Sequence, residues 1–236
     1  MSRNLHCIGL DGCKAGWVGV SRKGGAGHLK VQIFRHFDVE VCAFDIVGID
    51  IPIGLPDAGS RQCDIAARQM IKPRGCCVFP APLRPLLVAE SYEDASKISK
   101  RINGKKISKQ SFAIIPKIAE VDRLLQERPE FRNRVHEIHP EVSFCCMNNG
   151  KPLMNKKRSS SGRADRVALV DGNYGHGIYK DLANTLEEQR GWEPDDLLDA
   201  CAALWSAERI ARGGGQLLPN NQVKVDSTGL QMIIAY

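Results

Sequence analysis

Two short apolar runs, each broken by a carboxylate, constrain this chain more than any other feature. Leu5 to Leu10 is almost wholly apolar and stops at Asp11-Gly12, while Ile46-Val47-Gly48-Ile49 runs into Asp50 before Ile51 and Pro52. Runs this short, apolar at successive positions, suit strands buried on both faces, and such strands belong to sheets covered by helices. An ionised group inside a strand of that kind is expensive unless something compensates it. The two aspartates therefore need a reason beyond solubility.

The segments around them supply a frame. A second strand is expected from Trp17 to Arg22, then a glycine turn at Lys23-Gly24-Gly25-Ala26-Gly27. Leu29, Val31 and Ile33 alternate with Lys30 and Gln32, the period-two pattern of a third antiparallel strand. A short helical link, Asp38 to Phe44, leads to the strand that holds Asp50, and Pro52 to Pro56 ends it. Cys63, Ala66, Ala67 and Met70 then fall at helical spacing after a Ser60 cap, and Pro73-Arg74-Gly75 stops that helix. Ser91-Tyr92-Glu93-Asp94 reads as a variant capping box, and Pro116 as a helix start. Val135 to Phe144 reads as a strand interrupted by Pro140, Gly150 to Gly162 as a mobile loop, and Leu230 to Ala235 as an edge strand. Leu197, Leu198, Cys201, Leu204 and Trp205 trace a strong helix from Asp195 to about Arg212, closed by Gly213-Gly214-Gly215.

The chain has 236 residues, 43% hydrophobic and 25% charged, enough for one packed core without staples. We expect a single domain over 1–236 with a helical insertion at about 57–130. No apolar run is long enough to span a bilayer, and Met1-Ser2-Arg3-Asn4 leads into a strand rather than a signal peptide, so a cytoplasmic, non-membrane protein is expected. The nine cysteines include no Cys-x-x-Cys pair, which argues against a zinc ribbon, and their odd number argues against a disulfide framework. Lys and Arg total 33 against 27 Asp and Glu, and the excess is concentrated. Lys97, Lys100, Arg101, Lys105, Lys106 and Lys109 crowd one stretch; Lys151, Lys156, Lys157, Arg158, Arg163 and Arg166 crowd another. Each is either a solvated loop or a footprint for a polyanion.

Three antiparallel strands, a helical link, a further strand and later helices follow the order of a ribonuclease-H-like α/β core, a mixed sheet with flanking helices. In that order, acids ending the first and fourth strands are neighbours, and a late helix brings further acids above them. Asp11, Asp50 and the Asp196/Asp199 pair occupy those places. Carboxylate oxygen suits hard cations, so Mg²⁺ or Mn²⁺ is the expected cofactor, and such ions activate water and stabilise the oxygens of a phosphodiester. Asp196 with Asp199 also fits a helix cap. At 3.6 residues per turn, Asp196, Asp199, Ala200, Ala203 and Ala207 share one side of the helix, and an alanine stripe permits close approach to a sheet. In His136-Glu137-Ile138-His139-Pro140-Glu141, Glu137 is either a further ligand or water-orienting group, or part of a satisfied strand end.

Ile8-Gly9-Leu10-Asp11-Gly12-Cys13-Lys14-Ala15-Gly16-Trp17 resembles the opening motif of a family of predicted nucleases, a domain of unknown function numbered 429. Gly48-Ile49-Asp50-Ile51-Pro52-Ile53-Gly54-Leu55-Pro56 resembles its second motif, and Arg61-Gln62-Cys63-Asp64, Ala67-Arg68, Val78-Phe79-Pro80, Lys117 to Asp122, His136 to Glu141 and Asp196 to Ala200 extend the likeness over nearly the whole chain. Asp196-Leu197-Leu198-Asp199-Ala200 is also similar to the final helix of Holliday-junction resolvases, whose paired acids bind metal. The resemblance implies a ribonuclease-H-like fold and nuclease activity on DNA or RNA. Asp11, Asp50, Asp196 and Asp199 would hold metal, with Glu137 beside them. Arg61, Arg68 and Lys117 either grip substrate phosphates or build the insertion.

Two other readings fit parts of the chain. A non-catalytic nucleic-acid or protein-binding module would need only the basic runs. An actin-like kinase or ATPase also begins with a strand ending Asp-Gly, but this chain is short for one and has no Gly-x-x-x-x-Gly-Lys element.

Overall fold

A computed structural model describes residues 4–25, 27–220 and 222–236. The expectations placed on Met1, Ser2 and Arg3, and on Ala26 within the glycine turn, lie outside the described residues. The apolar runs become strands as their patterns require. They are β1 (His6–Cys13), β2 (Gly16–Lys23), β3 (Lys30–Phe34), β4 (Ile46–Ile49) and β5 (Val135–Glu137). They form one sheet in the order β3-β2-β1-β4-β5. The first three strands are antiparallel, whereas β4 runs parallel to both β1 and β5. This is the ribonuclease-H-like mixed sheet, with β1 and β4 side by side at its centre.

Between β4 and β5 the chain is helical: α1 (Gln62–Met70), α2 (Tyr92–Asn103), α3 (Lys109–Ala113) and α4 (Ile115–Glu127). After β5 come α5 (Pro140–Met147), α6 (Ser160–Tyr174), α7 (Ile178–Thr185) and α8 (Pro194–Ala211), then the two-stranded pair β6 (Leu217–Leu218) and β7 (Ile234–Ala235). The Ser91 hydroxyl caps α2 by accepting from the Asp94 amide at 3.1 Å, and Pro116 opens α4. None of the helices among the described residues is long and apolar enough to cross a membrane.

Alternation along the central strands sorts their side chains onto two faces. Ile8 and Leu10 of β1, with Val47 and Ile49 of β4, pack with Ile118, Val121 and Leu125 of α4. Cys7, Gly9 and Asp11, with Gly48 and Asp50, face the opposite way, toward α8. Gly9 and Gly48 are register partners, and together they make the seat of that helix. A Cβ at Gly9 would lie 2.0 Å from the Leu204 amide nitrogen and 2.2 Å from the Ala200 carbonyl oxygen; one at Gly48 would lie 2.6 Å from the Ala203 carbonyl oxygen. The alanine stripe therefore meets bare main chain, closer than any side chain would allow.

Four local expectations are corrected. Val135 to Phe144 is not one interrupted strand: β5 stops at Glu137, and Pro140, whose fixed φ and missing N–H suit a first helical turn, opens α5. The cap of α1 is Arg61 rather than Ser60. Gly150 to Gly162 is not loop throughout, because Ser159 accepts from the Gly162 amide at 3.0 Å and starts α6 at Ser160. Of Leu230 to Ala235 only Ile234–Ala235 is strand, paired with Leu217–Leu218.

Candidate metal centre

The seating of α8 decides where its acids fall. Asp11 stands two residues beyond Gly9 on the same face of β1, and Asp50 two beyond Gly48, its amide donating to the Leu10 carbonyl at 3.0 Å. Asp199 immediately precedes Ala200, the residue pressed against Gly9. One oxygen from each of Asp11, Asp50 and Asp199 lies within 4.8 Å of the others. Oxygens around one octahedral Mg²⁺ stand about 3 to 4 Å apart, a spacing that these three approach.

The cluster is strained electrostatically. Burial pushes the Asp11 carboxyl well above its ordinary range, and the charges of Asp199 and Asp50 push it further, with Lys157 opposing. Asp50 is raised by burial and then by Asp199. Asp199 rises to about 6 through burial, moderated by the Lys157 ammonium. Hydrogen bonds relieve this only in part. Asp11 Oδ1 accepts from the Gly12 amide at 2.8 Å, and Asp199 Oδ2 accepts from Lys157 Nζ. Asp199 Oδ1 is buried with no partner among the described residues. A buried acceptor left unmatched, in a set of three hard oxygen donors, fits a divalent cation of the Mg²⁺ or Mn²⁺ kind.

The other expected ligands stand apart from this triad. Asp196 Oδ2 accepts from the Glu193 amide at 2.8 Å, closing the first turn of α8. It takes the capping role because α8 begins at Pro194, which puts Asp196 at the third helical position. Glu137 is buried at the end of β5, where it accepts from the Ile53 amide at 2.6 Å and from Arg61.

The three expected phosphate grips also divide. Arg61 is only 2% exposed and gives its donors to Asp64, to Glu137 and to the Ile53 and Gly54 carbonyls, so it locks the chain leaving β4 rather than meeting a substrate. Arg68 is exposed on α1, with Nε donating to the Val78 carbonyl at 2.9 Å. Lys117 lies over the Trp17 ring, 4.4 Å from its centroid, and donates to the Gly16 carbonyl at 2.5 Å. Its Cδ would be 2.7 Å from a Cβ at Gly12, which places it against the turn after Asp11.

Sequence reasoning missed two participants. Lys157 is one of six residues in a basic stretch, and nothing in its neighbours marks it as the one that turns inward. Glu141 lies close enough to raise both Asp50 and Asp199. It is paired at 2.5 Å with the fully buried Arg166, another member of that stretch, whose burial follows from α6 starting at Ser160.

Fold and triad together define an α/β protein with a ribonuclease-H-like mixed sheet and a carboxylate cluster where its central strands meet α8. The chain belongs to the family described as a protein of unknown function, DUF429, whose model matches residues 9–224. No curated protein and no solved structure matches it.

Proposed function

We propose that this protein is a metal-dependent nuclease, hydrolysing phosphodiesters of DNA or RNA at the Asp11–Asp50–Asp199 cluster with Mg²⁺ or Mn²⁺. The observation that carries the reading is the convergence of three acids from separate segments onto one point, at a cost in repulsion that no fold needs. A divalent ion bound there supplies Lewis acidity and a water acidic enough to attack at neutral pH. Asp11 would hold the cation from β1, Asp50 from the residue just past β4, and Asp199 would close the set from α8. Arg68, Lys156, Arg158 and Arg163 are exposed and suit backbone phosphates, whereas Arg166 is buried and Lys157 is turned to Asp199. The assay is cleavage of structured and single-stranded DNA and RNA with either ion. Turnover is expected in the native chain and lost in Asp11→Asn, and undiminished turnover in that variant sinks the assignment.

One observation favours a non-catalytic binding module instead. The contact between Lys157 and Asp199 already neutralises part of the cluster. On that reading, nucleic acid binds equally well with and without a divalent ion, and no substrate is turned over.

A further inference from the structure

We propose that the centre takes a single divalent ion and that the Lys157 ammonium stands in place of a second one. The inference deepens the nuclease reading and rests on it for its catalytic meaning, though not for its count of ions. Three carboxylates carry three negative charges; the ammonium on Asp199 Oδ2 cancels one, and one divalent cation cancels the remaining two. The unpartnered Asp199 Oδ1, on a side chain 5% exposed, is then left for that ion while Oδ2 keeps the lysine.

A two-ion centre needs acids on both sides of a pair of cations about 3.5 to 4 Å apart. Among the described residues, each candidate for the second side already has an oxygen engaged: Asp196 Oδ2 caps α8, both Glu137 oxygens are joined to Arg61, and Glu141 Oε1 is joined to Arg166, which is 0% exposed.

Lys157 is also placed by built structure rather than by a free surface side chain. Its neighbour Lys156 offers a carbonyl that accepts from the Ser159 amide at 2.9 Å and from the Ser159 hydroxyl at 2.8 Å. Gly162 packs so closely on that carbonyl that a Cβ there would lie 2.0 Å from it. The lysine thus enters the centre from a fixed turn at the head of α6. An ammonium is a compact charge with three donors, suited to a phosphate oxygen on one side while a carboxylate holds it on the other.

The test counts ions on the full chain by Mn²⁺ titration, following free Mn²⁺ by electron paramagnetic resonance and heat by calorimetry. One ion per chain is expected for the native protein and for Lys157→Arg, which keeps the cation, and two for Lys157→Met. Two ions on the native chain, or one on Lys157→Met, overturns the inference. No ion on the native chain overturns it together with the nuclease reading. One ion without hydrolysis of any nucleic acid overturns the nuclease reading alone and leaves the count standing.

Discussion

The guanidinium of Arg61 meets the Glu137 carboxylate in a two-pronged pair, both N···O distances 2.7 Å, where the chain leaving β4 passes the end of β5. Asp64 takes another donor of the same guanidinium, and the Ile53 and Gly54 carbonyls take more, so a side chain that reads as a phosphate grip is spent inside the protein. Removing it strands two buried carboxylates. Arg61→Met is expected to cost about 3 to 5 kcal/mol, measured as a fall in the urea midpoint at unchanged slope.

Metal binding should be visible as stability. A divalent ion at a hundredfold excess over its dissociation constant adds about 2.7 kcal/mol, or roughly 5 to 10 °C in Tm for a chain of this size. Asp11→Asn should abolish that rise. Without ions the same variant should melt no lower than the native protein, since it removes a repelling charge and keeps an acceptor for the Gly12 amide.

The pH dependence has a definite sign. In the ion-free fold Asp199 is raised from 3.8 to about 6. Between those values the native state holds more protons than the unfolded one, so stability falls as pH rises from about 4 through about 6. Asp11 and Asp50, raised in the same direction, deepen the fall. Denaturation across a pH series should show it, and both excess Mg²⁺ and Asp199→Asn should flatten it.

Asp196→Ala separates capping from ligation. Loss of the bond to the Glu193 amide should cost about 1 kcal/mol, while Mn²⁺ affinity in the same variant stays within about twofold of native. A loss of affinity comparable to that of Asp199→Asn would return Asp196 to the centre.

Gly9→Ala tests the seat of α8. The added methyl meets main-chain atoms at 2.0 and 2.2 Å, which cannot rotate away as side-chain atoms do. The penalty should exceed the ~1–3 kcal/mol usual for an overpacked core, read as collapse of the folded fraction in denaturant titration.

What the sequence announced and what it concealed differ in physical kind. Strand patterns around Leu10, Val31 and Ile49 depend on burial alone, so β1, β3 and β4 were legible, as was α8 from its apolar stripe. The triad was legible because a carboxylate ending an apolar run costs desolvation that packing alone does not return. Asp196, Glu137 and Arg61 each kept two readings, because residue type does not tell a ligand from a cap or an ion pair. That choice turned on one or two residues of register, with α8 starting at Pro194 and α5 at Pro140. Lys157 was hidden because its role depends on a turn made by Ser159 and Gly162, which no periodicity records.

Peptide groups touch where α8 meets Gly9 and Gly48, and peptide groups are identical whatever residues carry them. The dimensions of the acidic cage are accordingly inherited from backbone thickness, not tuned by a layer of interlocking side chains. Substitutions on the outer helices would change what approaches the rim, while the spacing of the three carboxylates stays set by the main chain at Gly9 and Gly48.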